Sequence, residues 1–261
     1  MKKNIIGIVG GGNMGEALIK GLYGKQSVHV CETNPDRVRY LKKKYPKIML
    51  GDLSVVETAS IVILSVKPQD MEVLLKAIPV GKNRLFISIA AGLTTKFFEK
   101  HLGGKARVVR TMPNMPALIN EAITGISAGK YASAADVKTA QGILNTIGQT
   151  MIVKESMIDA ITAVSGSGPA YVFLFVEQWM NAAIKLGFNQ TQAKQLVYKT
   201  LLGSAHLLQQ SEFEAGDLRV KVTSKGGTTQ AALDVFAKSK FDQLMYKALL
   251  AANKRAKELA K

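Results

Sequence analysis

Apolar positions fall into two textures along the chain. Up to about Lys154 they come in short runs of strand length: Ile5 to Val9, Val28 to Glu32, Ile61 to Val66, Leu85 to Ile89 and Arg107 to Arg110, then Ile123 to Ala128 and Met151 to Val153. Runs that are apolar throughout, such as Ile61-Val62-Ile63-Leu64, mark strands covered on both faces, as in a parallel sheet between two layers of helices. Helices are predicted between them over Glu16 to Leu22, over Pro35 to Tyr45 and over Ala134 to Ile147; Asn34 supplies a cap and Pro35 the first helical position of the second. From Glu155 the apolar spacing becomes helical, over Tyr171–Leu186, Thr191–Gln210, Thr228–Ala237 and Phe241–Leu259. The pattern predicts an α/β domain over residues 1–154 followed by an all-α domain over residues 155–261. No repeat of fixed period and no low-complexity tract interrupts it.

The first run leads straight into Gly10-Gly11-Gly12-Asn13-Met14-Gly15 and then into a helix. Gly10, Gly12 and Gly15 form G-x-G-x-x-G in the strand, turn, helix context that a dinucleotide fold requires. The glycines allow a sharp turn, close approach of a pyrophosphate and tight packing of helix on strand, and the helix N-terminus offers free N–H groups to the phosphates. The second strand ends at Glu32, near the place where an acidic residue holds the adenosine ribose of NAD. Thr33, Asn34 and Arg37 follow at once, and hydroxyl, amide and guanidinium are groups that hold the 2'-phosphate of NADP. The cofactor reading is split between NAD and NADP on these residues. Three more strand ends carry turn-forming residues, Val66-Lys67-Pro68, Ala90-Ala91-Gly92 and Met112-Pro113-Asn114, and all would lie on the carboxyl edge of the sheet where α/β folds bind ligands.

Composition narrows the function without choosing it. The 261 residues are 47% hydrophobic and 21% charged, enough for a large core and two domains. One cysteine, Cys31, excludes an internal disulfide and suits a reducing compartment; placed in an apolar strand, it reads as a buried side chain. Met1-Lys2-Lys3 resembles the start of a signal peptide, but the apolar run behind it ends at Val9 in glycines. No stretch reaches the roughly 18 consecutive apolar residues of a membrane span, and a cytoplasmic location is expected. The formal charge of +16 raises the possibility of nucleic-acid binding. Its distribution argues against that role: Lys42-Lys43-Lys44 falls on a surface helix, Lys254, Arg255, Lys257 and Lys261 crowd a helix C-terminus, and no run interleaves aromatics with arginines. A positive field of this kind draws anionic substrates and cofactors.

Two glycine-containing stretches break the helical half. Ser165-Gly166-Ser167-Gly168-Pro169 reads as a helix start with Ser167 as cap. Thr223-Ser224-Lys225-Gly226-Gly227-Thr228-Thr229 places glycines and hydroxyls at another helix N-terminus, an anion site with side-chain donors or a plain capped turn. The helix carrying Phe173, Phe175, Val176 and Trp179 is apolar around much of its circumference, so it is expected to be buried, against another subunit in a domain this small. His29, His101 and His206 share no ligand spacing with Cys or carboxylates, so no metal site is expected. Nor is there a Ser-His-Asp arrangement or a carboxylate dyad. That fits hydride transfer, where the cofactor carries the chemistry.

The order Gly10 to Gly15, Val66-Lys67-Pro68, Ala90-Ala91-Gly92, Met112-Pro113-Asn114, Val164 to Tyr171 and Gly226-Gly227-Thr228-Thr229 resembles that of the pyrroline-5-carboxylate reductases, over almost the whole chain. The resemblance implies an N-terminal Rossmann domain, a helical dimerisation domain, and NAD(P)H-dependent reduction of 1-pyrroline-5-carboxylate to L-proline. It implies a cofactor site at Gly10, Gly12, Asn13, Met14, Gly15, Thr33, Asn34, Arg37, Val66, Lys67, Pro68, Ala90, Ala91 and Gly92, with NADP as cofactor and NAD possible. It also implies that Ser224, Gly226, Gly227 and Thr228, with Asn114 and Glu212, bind the substrate, and that Thr229 sits beside the ring nitrogen as the catalytic group. The partners implied are the small-molecule substrate and a second copy of the chain, with neither membrane nor nucleic acid. Lys225 stands where the family usually has proline.

Overall fold

The computed structural model describes residues 5–79 and 83–259, so Met1, Lys2, Lys3 and Lys261 lie outside the described residues. The chain divides into two compact units, one of residues 1–169 with 251–261, the other of residues 170–250.

The first unit is built on an eight-stranded sheet. In chain order it runs β1 (Ile5–Val9), α1 (Asn13–Leu22), β2 (Ser27–Cys31), α2 (Pro35–Lys44), β3 (Met49–Gly51), β4 (Ile61–Leu64), α3 (Met71–Ala77), β5 (Leu85–Ser88), α4 (Thr95–His101) and β6 (Arg107–Met112), then β7 (Ala122–Ala128), α5 (Ala134–Leu144), β8 (Gly148–Ile152) and the short α6 (Ile158–Ile161). The strand order is β3-β2-β1-β4-β5-β6-β7-β8, parallel throughout except that β7 runs antiparallel to β6. Successive residues of the central strands feed opposite faces. Ile6, Ile8, Ile61, Ile63, Leu85 and Ile87 pack with α1 and α5 on one side, while Val9, Val62, Leu64 and Phe86 pack with Met71, Leu75 and Phe98 on the other. That double burial explains the uninterrupted apolar runs.

β3 and the helices α3 and α4 were not legible as elements: three strand residues and single seven-residue helices carry too little periodicity to register. The last strand begins three residues earlier than its apolar signal, at Gly148, because Gly148 to Thr150 pair with Ala122 to Thr124 through the backbone whatever their side chains. α2 is capped as expected, with the Asn34 side chain accepting from the N–H groups of Asp36 and Arg37.

The second unit is helical: α7 (Gly168–Lys185), α8 (Gln190–Gln210), α9 (Ala215–Lys221), α10 (Thr228–Lys238) and most of α11 (Phe241–Leu259). The start of α7 differs from the capped start expected at Ser167. A π-helical turn over Thr162–Gly166 continues α6, and Ser167 has helical φ and ψ with its N–H donated to the Thr162 carbonyl at 2.8 Å. Ser167 therefore lies within a nearly continuous helical path. That path, Glu155 to Lys185, is long and apolar enough to cross a membrane by length and composition alone. Ala183 is the buried residue of α7, whereas Val172, Phe173, Leu174, Phe175 and Trp179 are exposed on the single chain.

Candidate active site

The strand order reverses between β1 and β4, whose ends Val9 and Leu64 are paired. In an open α/β sheet this switch point opens a crevice at the carboxyl edge. The glycine turn fills it. Gly10 has φ +100°, and a Cβ there would come within 2.5 Å of the Ser65 carbonyl oxygen and 3.2 Å of the Val66 side chain. A Cβ on Gly15 would come within 2.0 Å of the Gly10 carbonyl oxygen. Gly12 is the contrasting case: a Cβ there meets nothing within 4 Å, and the residue is exposed. Gly12 is also the N-cap of α1 and makes no side-chain cap bond, so the N–H groups of Asn13 and Met14 at the helix start face an open approach. Two glycines are demanded by the fold and one is left for a ligand. A cradle of this shape and polarity fits a dinucleotide pyrophosphate.

The end of β2 is more committed than its sequence suggests. The Glu32 carboxylate accepts from the N–H groups of Gly11, Thr33 and Asn34, each at 2.8 Å. The Arg37 guanidinium donates to the Gly11 carbonyl at 2.5 Å and to the Glu16 carboxylate, and it lies over the Tyr40 ring. Glu16, on α1 just past the glycines, is 9% exposed and collects Arg37, Tyr40, Lys44 and Tyr45 from the α2 side. Burial alone would raise its carboxyl, but hydrogen bonds from Lys44, Arg37 and Tyr40 prevail and bring it down to about 2. The same bonds from Glu16 and Tyr40 push the Lys44 ammonium up. Sequence reasoning missed Glu16. Its signal was a carboxylate on the apolar face of one helix facing Arg37 and Lys44, which share a face of the next. Cys31, beside Glu32, is buried, and its thiol is pushed up by burial and by the Asp52 and Glu32 charges, so it is a packing residue.

Along the same edge, Lys67 and Pro68 are exposed, with Pro68 opening a single 3₁₀ turn. Ala90 donates its N–H to Ser88 Oγ at 3.2 Å. Gly92 is buried with φ +78°, and a Cβ there would meet the Leu259 main chain at 3.0 Å; the last turn of α11 uses the space that its missing side chain leaves. Asn114 is buried, and its Oδ1 accepts from the Ile123 N–H at 3.0 Å, holding the start of β7. Behind these residues is a buried ionic cluster unforeseen from sequence. Arg110, 2% exposed on β6, pairs with Asp159 at 2.7 Å and Glu155 at 3.5 Å, and Glu155 also accepts from the Thr95 N–H and hydroxyl. Gly166 of the π turn packs against Met112, where a Cβ would come within 2.6 Å of the methionine methyl. The Ser165 to Pro169 stretch thus begins at the end of β6.

In the second unit, the loop before α10 has the geometry of an anion cradle. Gly226 has φ +72°, which a residue with a Cβ rarely adopts. Gly227 is the N-cap of α10 with no side-chain cap bond, and its N–H bonds back to the Ser224 carbonyl at 3.0 Å. A Cβ on Gly227 would come within 2.3 Å of Ser224 Oγ, so the serine hydroxyl folds over the glycine toward the helix start. Ser224, Lys225, Gly226 and Thr228 are exposed, and Thr229 is partly buried in the first turn. Glu212 is exposed in the loop between α8 and α9. Beside the cradle, Arg219, Thr223, Gln230, Asp234 and Phe241 help line an open cleft of about 870 Å³, with Phe175 on its wall.

Residues 155–259 match the family model described as pyrroline-5-carboxylate reductase dimerisation, and residues 5–92 match one described as NADP oxidoreductase coenzyme F420-dependent. The chain is 38% identical over 263 residues to the pyrroline-5-carboxylate reductase of Pseudomonas aeruginosa, covering 98% of this chain and 96% of the relative. The chain belongs to the pyrroline-5-carboxylate reductase family. Among solved structures it is similar to the reductase of Coxiella burnetii, at 35% identity and TM-score 0.90 over the whole of both chains. It is also similar to the Plasmodium falciparum pyrroline carboxylate reductase with NADP bound, at 28% identity and TM-score 0.88, covering 100% of this chain and 99% of that one. For a reductase of this family the first unit is the Rossmann-type NADP-binding portion. The dimerisation match supports a homo-oligomer.

Proposed function

We propose that this reductase converts 1-pyrroline-5-carboxylate to L-proline with NADPH or NADH, acting as a cytoplasmic homodimer or higher homo-oligomer, with residues 155–261 as its substrate and dimerisation segment. One observation carries the reading: the family match spans a chain that holds both a dinucleotide cradle at Gly10 to Gly15 and a carboxylate-sized cradle at Ser224 to Thr228. A reduced nicotinamide, when bound, supplies the hydride that the imine carbon takes up.

The chain's own residues do the rest. The N–H groups of Gly226 and Thr228, with the Ser224 hydroxyl, hold the substrate carboxylate at the positive end of α10, and Gly227 lets the backbone come close to it. Glu212, in the loop between α8 and α9, adds a carboxylate to the substrate contacts. Thr229 hydrogen-bonds to the ring nitrogen or relays a proton to it through water. A protonated imine is the better electrophile, and the proton ends on the secondary amine of proline. Val66, Lys67, Pro68, Ala90, Ala91 and Gly92 line the path of the cofactor beyond the glycine turn. Lys225 brings a flexible cation to the carboxylate where the family usually has a rigid residue. The single cysteine, buried and inert, is suited to the reducing cytoplasm.

The test is to mix the purified protein with 1-pyrroline-5-carboxylate and each reduced cofactor, following nicotinamide absorbance and proline together. Equimolar loss of cofactor and gain of proline supports the assignment. Cofactor binding without proline formation places the error in the Ser224 to Thr229 loop.

A further inference from the structure

We infer that the buried cluster of Arg110, Asp159 and Glu155 is a positioning device for hydride transfer. It fixes the π turn Thr162–Gly166 at the end of β6, and with it the place where the chain sets out into its helical half. This rests on the reductase reading of the two cradles. The proposed cofactor path runs from the glycine turn after β1 to the ends of β4 and β5, at Lys67-Pro68 and Ala91-Gly92. β6 is the next strand of the sheet, so its end is where the reactive end of an extended dinucleotide arrives. Gly166 packs there, and a Cβ on it would come within 2.6 Å of the Met112 methyl.

Three contacts hold the segment before that turn. Arg110, buried two residues before Met112 on β6, sends one terminal nitrogen to Asp159 at 2.7 Å and the other to Glu155 at 3.5 Å, while its Nε has no partner. One guanidinium thus holds two carboxylates four residues apart on one face of the segment. Glu155 in turn accepts from the Thr95 N–H at 2.7 Å and hydroxyl at 2.8 Å, which ties it to the first residue of α4. α6 lies directly on β7, since a Cβ on Gly125 would come within 2.6 Å of Ile161. A buried ion pair is weak evidence for stability, because well-packed apolar residues fill the same space without the desolvation cost; what it supplies is register. The π turn makes that register matter. The Ser167 N–H reaches five residues back to the Thr162 carbonyl, a geometry that recurs at functional sites. Held by the cluster before it and by Met112 beside it, the turn fixes the point from which α7 begins. Hydride transfer needs its reacting atoms about 3–3.5 Å apart, and a misplacement of about 1 Å costs roughly 100-fold in rate.

The test uses the intact oligomer and the near-isosteric variants Asp159→Asn and Glu155→Gln. The dissociation constant for NADH is measured by cofactor fluorescence, and thermal unfolding is followed alongside. The preformed complex with NADH is then mixed rapidly with 1-pyrroline-5-carboxylate over a range of concentrations. Half-saturation gives the affinity for the imine, and the plateau gives the rate of the first turnover. Asp159→Asn is expected to lower the plateau by about 10- to 100-fold while both affinities stay within about threefold of wild type. Glu155→Gln should lower it less, since its contact with Arg110 is the longer. An unchanged plateau in Asp159→Asn, whatever its melting temperature, makes the cluster merely structural and overturns the inference. So does a loss confined to NADH affinity. If Asp159→Asn does not fold, the plateau of Glu155→Gln decides alone. A wild type that binds NADH but never oxidises it sinks the reductase reading and this inference together, whereas equal rates in wild type and variants sink the inference alone.

Discussion

Gly12→Ala and Gly15→Ala separate the ligand's demand for glycine from the fold's. At Gly15 the new methyl would lie 2.0 Å from the Gly10 carbonyl oxygen and 3.1 Å from the Gly10 carbonyl carbon. Both obstacles are backbone, so no rotamer relieves them, and α1 must shift from β1 by about 1 Å; overpacking of this kind costs about 1–3 kcal/mol. At Gly12 the methyl meets nothing within 4 Å, and the backbone, at φ −63° and ψ −169°, is one that alanine adopts. Loss of a glycine N-cap costs about 1 kcal/mol, partly offset by the lower entropy of the unfolded chain. The Gly12 variant should therefore melt within a few degrees of wild type, at about 2–4 °C per kcal/mol for a chain of this size. Its methyl occupies the approach of the pyrophosphate, however. Loss of one or two charge-assisted bonds to Asn13 and Met14, at about 1.5–3 kcal/mol each, weakens cofactor binding by roughly 100-fold. Thermal unfolding and calorimetric titration with NADH read the two effects separately. Binding by Gly12→Ala within about threefold of wild type would refute the placement of the pyrophosphate, and a Gly15→Ala protein as stable as wild type would refute the packing argument.

Other consequences concern stability, assembly and turnover. Glu16 titrates at about 2 in the folded protein, below an unfolded value near 4.3. Its stabilisation, about 2–3 kcal/mol, is complete above the unfolded value and is lost as the pH falls through the folded one. Urea unfolding should show Glu16→Gln clearly weaker than wild type near neutral pH, with the gap closing toward acid; a gap that does not change with pH contradicts the ion-pair account. Phe173, 58% exposed on α7 of a single chain, should lie against another copy, so Phe173→Glu is expected to sediment as a smaller species than wild type. Thr229→Val should lower turnover by roughly 100-fold while leaving the dissociation constant for NADH unchanged, and full turnover would remove Thr229 from proton delivery.

The fold was largely legible because its strands are buried on both faces and its long helices carry many apolar turns. Ile61 to Val66 could be read as a strand buried on both faces with no other information, two residues longer than the observed Ile61–Leu64, and the helical limits of Phe241–Leu259 could be read to the residue. What stayed hidden depended on distant partners. Arg110 reads as the polar end of a strand, yet β6 runs on to Met112 and the arginine is buried, because Asp159 and Glu155 arrive from a segment more than 40 residues away. Arg37 reads as a candidate for the 2'-phosphate of NADP, and nothing local to it announces its bonds to Glu16 and the Gly11 carbonyl. Gly92 reads as one of the turn residues at a strand end, and nothing local to it announces that the distant Leu259 packs where a side chain would stand. Ser167 reads as a cap because serine before Gly-Pro resembles one; a π turn carries the helix through it instead. In each case the local residue type was read correctly and its partner was chosen by the tertiary fold.

The central claim is transfer of hydride to the carbon of a cyclic imine, and isotope tracing tests it most directly. The protein is incubated with 1-pyrroline-5-carboxylate and NADH carrying deuterium at the transferable position of the nicotinamide, and the proline is analysed by mass spectrometry. The expected result is proline with a single deuterium on the former imine carbon, in amounts equal to the cofactor oxidised. Oxidised cofactor with no label in proline, or no proline at all from a protein that binds both cofactor and substrate, would contradict it.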